Sequence, residues 1–144
     1  MIEKRTIHEY EVNKGINQII RQIAVDKWNP ELVVGMTRGG LGIGVMLSHY
    51  YDIPFLPLNK GDSLLNFEFK EILLVDDIND TGAQLNKLFN EVPGVSYEWV
   101  RPAVLYNNKG SSFDRVKYFG YEIDKRVDPA WIVFPWETWW NYEY

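Results

Sequence analysis

The chain contains no cysteine, which excludes disulfides and thiolate-bound metal and makes an intracellular, cytoplasmic home the expectation. Histidine is almost as scarce. His8 and His49 are the only two, and neither has a partner at catalytic spacing. No window approaches the roughly 20 consecutive apolar residues of a membrane span. The opening Met1-Ile2-Glu3-Lys4-Arg5 lacks the apolar centre of a signal peptide. Positive charge is not in excess: 15 Lys and Arg stand against 20 Asp and Glu, a net charge of -5. A nucleic-acid duplex is therefore not an expected partner. A polyphosphate stays open, through local amides, a few basic side chains and Mg²⁺. Internal repeats, low-complexity tracts and linkers are also missing. With 144 residues, 46% of them hydrophobic and 24% charged, the expectation is one soluble domain over residues 1–144 with a real core.

The elements follow from periodicity. Val12, Ile16, Ile19, Ile20 and Ile23 recur at helical spacing, which predicts an amphipathic helix over about 9–27 that ends before Pro30. Leu32–Met36 reads as a short buried strand, Thr37-Arg38-Gly39-Gly40 as the loop after it, and 41–51 as a second helix. Ile53–Leu58 reads as an edge strand because Pro54 and Pro57 cannot donate to a ladder. Residues 59–69 read as a loop with room for one short strand. A strand at 71–76, a helix at 83–90 ending near Pro93-Gly94, and strands at 99–106, 117–123 and 131–134 complete the pattern. Strands alternating with helices predict the α/β class with a central, mainly parallel sheet.

The densest chemistry lies in Ile72-Leu73-Leu74-Val75-Asp76-Asp77-Ile78-Asn79-Asp80-Thr81-Gly82. An apolar run of this kind is a strand buried on both faces, and ligands of open α/β sheets collect at the carboxyl ends of such strands. Two carboxylates there suit a polyol. The Thr-Gly turn and the helix start that follow suit a phosphate. Together they point to a ribose 5-phosphate site. A phosphorylated receiver domain also clusters acids, but it draws them from separate strands. One strand–helix unit earlier, Arg38-Gly39-Gly40 places a bidentate cation and closely approachable amides after a strand, a second anion site.

Leu73 to Gly82 resembles the PRPP-binding signature of the type I phosphoribosyltransferases. Thr37-Arg38-Gly39-Gly40 is similar to the pyrophosphate loop of their 6-oxopurine members, which implies a cis peptide at Thr37–Arg38. Trp131-Ile132-Val133-Phe134-Pro135-Trp136-Glu137 is similar to the Trp-Ile-x-x-Pro-Trp-Asp/Glu segment of the bacterial and archaeal xanthine-guanine-hypoxanthine enzymes. The three motifs stand in family order across about residues 30–137.

The resemblance implies the type I phosphoribosyltransferase fold and transfer of the 5-phosphoribosyl group from PRPP to guanine, xanthine or hypoxanthine. It implies Asp76 and Asp77 on the ribose hydroxyls, and Asp80 as the base that takes the imidazole proton. Asp80, Thr81, Gly82, Ala83 and Gln84 would surround the 5-phosphate, and Thr37, Arg38, Gly39 and Gly40 the pyrophosphate. Lys109 would read the 6-oxo group, Trp131 would stack on the base, and the Ile132 backbone would read its edge. Mg²⁺ would be held through PRPP and water, with Glu137 on the metal side. The partners implied are small molecules, with no membrane and no nucleic acid. The aromatic tail from Trp139 to Tyr144 suggests a homodimer or homotetramer.

Two departures stand out. Gln84 replaces the usual Thr or Ser of the phosphate turn, and the hood between residues 59 and 69 is short. Two other readings stay open: transfer to a different base, and a non-catalytic PRPP- or nucleotide-binding regulator on the same fold.

Overall fold

The computed structural model describes residues 2–64, 67, 71–91 and 97–141. Among these, the elements run β1 (Lys4–Thr6), α1 (Glu9–Val25), β2 (Leu32–Met36), α2 (Gly40–Tyr51), β3 (Phe55–Leu58), β4 (Ile72–Asn79), α3 (Ala83–Asn90), β5 (Val100–Asn108), β6 (Tyr118–Ile123) and β7 (Trp131–Val133), then two short 3-10 turns. Five strands make one parallel sheet in the order β3-β2-β4-β5-β6. The expected α/β class with a mainly parallel sheet is what the chain adopts.

Alternation along the strands explains the layers. Val33, Leu73, Val75, Ala103 and Leu105 face one side and meet Val12, Ile16, Ile19 and Ile23 of α1 and Ile43 and Leu47 of α2. Val34, Leu74 and Ile72 face the other side and meet Leu85, Leu88 and Phe89 of α3. Every strand that carries the middle of the sheet is thus buried on both faces, as continuous apolar runs require. Truncating one of these fully buried leucines to Ala would cost about 2–5 kcal/mol.

The order of the strands creates the site. From β2 the chain crosses through α2 to β3 on one side, whereas β4 lies on the other side of β2 and leads outward to β5. The sheet therefore reverses direction between β2 and β4. Loops leaving the carboxyl ends of those two strands diverge to opposite faces, and a crevice opens between them.

Several bounds differ from the sequence expectation. β4 extends to Asn79 rather than 76, because it stays paired with β5 as far as Asn79 opposite Asn107. Asp76 and Asp77 thus lie within the strand, with its rigidity, not in a loop after it. β3 keeps only Phe55–Leu58 and is a sheet edge, as its prolines require. The strand β1 has no counterpart in the sequence reading. It pairs in parallel with β7, Lys4 opposite Trp131 and Thr6 opposite Val133, as a separate two-stranded sheet. Within the 59–69 interval, residues 59–62 form a turn closed by Asp62 N–H to Asn59 O at 2.9 Å. Residues 65, 66 and 68–70 lie outside the described residues, as do the helix stop expected at Pro93-Gly94 and the tail residues 142–144. No described helix is long and apolar enough to cross a membrane.

Candidate active site

The crevice at the switch point is a cavity of about 480 Å³, with Arg38, Gly39, Asp76, Asp77, Thr81 and Gln84 among its lining residues. Its first wall is the loop between β2 and α2. The Thr37–Arg38 peptide is cis, as expected from the resemblance. Gly39 precedes the first residue of α2, and a Cβ there would overlap the Asp77 carboxylate. Only glycine permits this approach, which brings loop amides and the helix start against the acidic strand. Arg38 itself is exposed and has no ion-pair partner among the described residues. It remains available to an anion in the cavity.

The floor is the end of β4. Asp76 is 8% exposed, and its Oδ1 accepts the Asp77 backbone N–H at 2.9 Å. No cation pairs with either carboxylate among the described residues. Burial pushes the Asp76 carboxyl well above its ordinary value of 3.8, and the neighbouring Asp77 charge pushes it further. Burial also raises Asp77, against hydrogen bonds from Asp76 and the backbone that lower it. A buried acid pair without a cation is a functional-site signature.

The far wall is the turn into α3. Gly82 has φ +89°, and a Cβ there would meet the Phe113 backbone and the Ser111 hydroxyl. Glycine is thus required twice over, by conformation and by space. Thr81 Oγ1 accepts the Ala83 N–H at 3.2 Å. The Thr81 carbonyl accepts both the Ser112 N–H at 2.9 Å and its hydroxyl at 2.8 Å. The segment 111–113 thus braces the phosphate turn, a role with no signal in the sequence because serines after a strand are ordinary loop residues. Gln84 is exposed and lines this cavity and a neighbouring one against Met36, Leu58 and Lys87. The longer side chain reaches a second hollow that a Thr or Ser would not.

Beside the crevice lies a smaller cavity of about 140 Å³, bounded by Asp77, Asp80, Lys125, Trp131, Phe134 and Glu137. It shares Asp77, Ile78 and Asp80 with the larger one. Trp131 is half exposed, while Ile132 beside it is buried. Glu137 Oε1 accepts the Phe134 N–H at 2.9 Å and caps the 3-10 turn that carries it. No group of three or more His, Cys, Asp or Glu suited to a metal occurs among the described residues.

Lys109 is not brought to this place. β5 runs two residues beyond Tyr106, and Lys109 follows as an exposed turn residue whose N–H bonds to Ile123 O at 2.7 Å. It lines neither cavity. The cation that does stand on the base side is Lys125, from the loop after β6. Its Nζ is 3.0 Å from Asp80 Oδ2 and 5.2 Å from the centre of the Trp131 ring. The sequence reading took Asp124-Lys125-Arg126 for a solvated charge run. That holds for Asp124 and Arg126, which pair with each other, but Lys125 turns inward. Trp136 stacks on Phe134, 4.9 Å between centres and 5° from parallel, so it belongs to the support of the site. Trp139 and Trp140 are exposed.

A scan against protein-family models gives no match, and neither does a comparison with curated protein sequences. Solved structures do match. The purine phosphoribosyltransferase from Pyrococcus horikoshii is 25% identical, covers 94% of this chain and 95% of its own, and superposes with a TM-score of 0.74. The Helicobacter pylori xanthine-guanine-hypoxanthine phosphoribosyltransferase is 19% identical over 96% of this chain and 93% of its own, with a TM-score of 0.74. A Neisseria gonorrhoeae hypothetical protein with bound ppGpp is 18% identical over 96% and 91%, with a TM-score of 0.76. End-to-end coverage in both directions means that no element of these folds lacks a counterpart on a large scale. With this fold and these relatives, the chain is a type I phosphoribosyltransferase, related in structure to the xanthine-guanine-hypoxanthine enzymes.

Proposed function

We propose that the chain transfers the 5-phosphoribosyl group of PRPP to a 6-oxopurine and releases pyrophosphate. One observation carries this reading. A phosphate turn, an acid pair and an arginine loop line one cavity, and that cavity joins an aromatic-floored one at Asp77 and Asp80. The four parts of the reaction (5-phosphate, ribose, pyrophosphate, base) each have a complementary wall, in the order in which they are connected in PRPP and its acceptor.

The roles follow from the chemistry of each wall. The helix start at Gly82-Ala83-Gln84 and the Thr81 hydroxyl suit the 5-phosphate. Asp76 and Asp77 accept hydrogen bonds from the ribose hydroxyls. As the bond from C1 to the pyrophosphate oxygen breaks, positive charge builds on the ribose ring, and the two carboxylates favour it. An imidazole nitrogen of the base attacks C1, and its proton passes to Asp80. Arg38 and the Gly39 and Gly40 amides hold the departing pyrophosphate. Mg²⁺, which takes few protein ligands and binds phosphate oxygens readily, would neutralise the pyrophosphate, with Asp76, Asp77 and Glu137 as the carboxylates within its neighbourhood. Trp131 offers a stacking face that suits any flat base, worth about 1–3 kcal/mol. The exposed Trp139 and Trp140 supply apolar surface for the dimer or tetramer.

The test is nucleotide formation from PRPP and Mg²⁺ with guanine, hypoxanthine, xanthine, adenine, uracil and orotate in separate reactions. A 6-oxopurine is expected to be converted, and Arg38→Ala to lower kcat/KM for PRPP by about 10²-fold or more. Binding of PRPP without turnover of any base would instead mark a sensor.

A further inference from the structure

We propose that Lys125 and Asp80 act as one donor–acceptor pair that selects the base, with Lys125 the specificity-determining residue. The inference rests on the base lying over Trp131, as proposed above.

Lys125 is the one cation that lines the Trp131 cavity among the described residues. A lysine in a loop normally extends into water, yet its side chain is only 17% exposed. Three contacts hold it there. Its ammonium pairs with Asp80 at 3.0 Å and lies over the Trp131 ring at 5.2 Å. Its backbone N–H donates to Asn108 Oδ1 at 3.0 Å. The same Asn108 donates through Nδ2 to the Asp80 carbonyl at 2.8 Å, and Asn108 is itself buried. One rigid side chain at the end of β5 therefore fixes both members of the pair.

The pair presents three N–H donors of an ammonium beside the oxygens of a carboxylate. A 6-oxopurine carries the matching edge, a carbonyl oxygen at position 6 next to an imidazole N–H at position 7. The ammonium leaves the ring face as the base stacks there, and donates to the carbonyl oxygen while Asp80 accepts from the N–H. A 6-aminopurine offers N–H groups where the ammonium needs an acceptor. A desolvated charge would then be left without a partner, which is the kind of mismatch that binding sites reject most strongly. The arrangement thus reads the base on the edge from which Asp80 takes the proton.

The test is calorimetric binding of IMP and AMP, which needs no turnover, with PRPP affinity as the control. The wild-type chain is expected to prefer IMP by about 10- to 10²-fold, the range of one charge-assisted hydrogen bond. Lys125→Met should bring the two affinities to within about threefold of each other, with PRPP binding and Tm unchanged, and Lys125→Arg should keep most of the preference. Lys125→Gln serves as a second neutral variant if the first is unstable. An unaltered IMP preference in both neutral variants, or equal weakening of IMP, AMP and PRPP, would overturn the role of Lys125. Failure of the transferase reading looks different: no base is converted, whatever the IMP to AMP ratio.

Discussion

The two ends of the sheet treat the same residue type in opposite ways. At the amino ends of the strands, Asp26 closes α1 and is surrounded by partners. The Tyr118 hydroxyl donates to it at 2.9 Å, Arg101 lies 3.5 Å away and Lys117 3.6 Å. Arg101 also donates to Tyr118 at 2.8 Å and stacks over Trp28 at 4.5 Å. The Tyr118 hydrogen bond, more than the cations, holds the Asp26 carboxyl below its ordinary value. At the carboxyl ends, Asp76 and Asp77 are more deeply buried, carry like charge side by side and have their carboxyls pushed up. One end satisfies its charge within the protein. The other leaves it for a ligand to satisfy, which trades stability for function.

The sharpest way to break this contrast is Asp77→Asn. It should lower kcat/KM for PRPP by about 10³-fold in a pyrophosphate-release assay. At neutral pH, without ligand, it should also raise Tm, because it removes one of two uncompensated charges. A fall in Tm would mean that the acid pair stabilises the fold and that the contrast between the ends is false.

A pH series sharpens it next. Asp76 and Asp77 hold protons more tightly folded than unfolded, so their contribution to stability is full below the ordinary carboxylate value of 3.8 and is lost as pH rises through their raised values. Asp26 has the opposite sign: its contribution is present above 3.8 and is lost as pH falls. Urea unfolding between pH 5 and 8 should therefore show ligand-free stability declining with pH, and Asp76→Asn should flatten the decline. A slope unchanged by that variant would contradict the assignment.

The smallest effect is expected at the other end. Tyr118→Phe removes the donor to Asp26 and the acceptor of Arg101, which should cost about 1 kcal/mol and lower Tm by roughly 2–4 °C. PRPP and base kinetics should not move, since Tyr118 lies at the far end of the strands. Altered kinetics would show that the two ends communicate.

Much of this molecule is legible in its sequence because the signals are local. Val12 to Ile23 announces α1 by period, Leu32–Met36 and Ile72–Val75 announce buried strands, and the Asp-Thr-Gly turn places the start of α3 at Ala83, where it is found. The acid pair and the arginine loop share a cavity because both follow strands that meet at the switch point. What escaped is non-local. Lys4-Arg5-Thr6 has no strand signature and is extended only because β7 offers it a partner. Lys109 and Lys125 are alike as lysines in turns. Which of them faces the base side is decided by where β5 ends and by Asn108, whose two hydrogen bonds draw Lys125 inward. The bracing of Thr81 by Ser112 is invisible for the same reason.

The small β1–β7 ribbon has a consequence for the order in which the molecule is completed. Trp131 N–H bonds to Glu3 O at 2.7 Å, Ile7 N–H to Val133 O at 2.9 Å, and Arg5 pairs with Asp128 across a separation of 123 positions. The stacking face for the base is thus secured by the first and last parts of the chain to be synthesised. Closing so long a loop is entropically the slowest kind of contact to form, so the crevice for PRPP can be assembled while the base side is still open. The ribbon has three residues on each strand and an exposed β1, so its amides should exchange with solvent long before those of β4 and β5. Chain termini are usually the parts a protein can lose at least expense; here the amino terminus is a hinge pin of the specificity pocket.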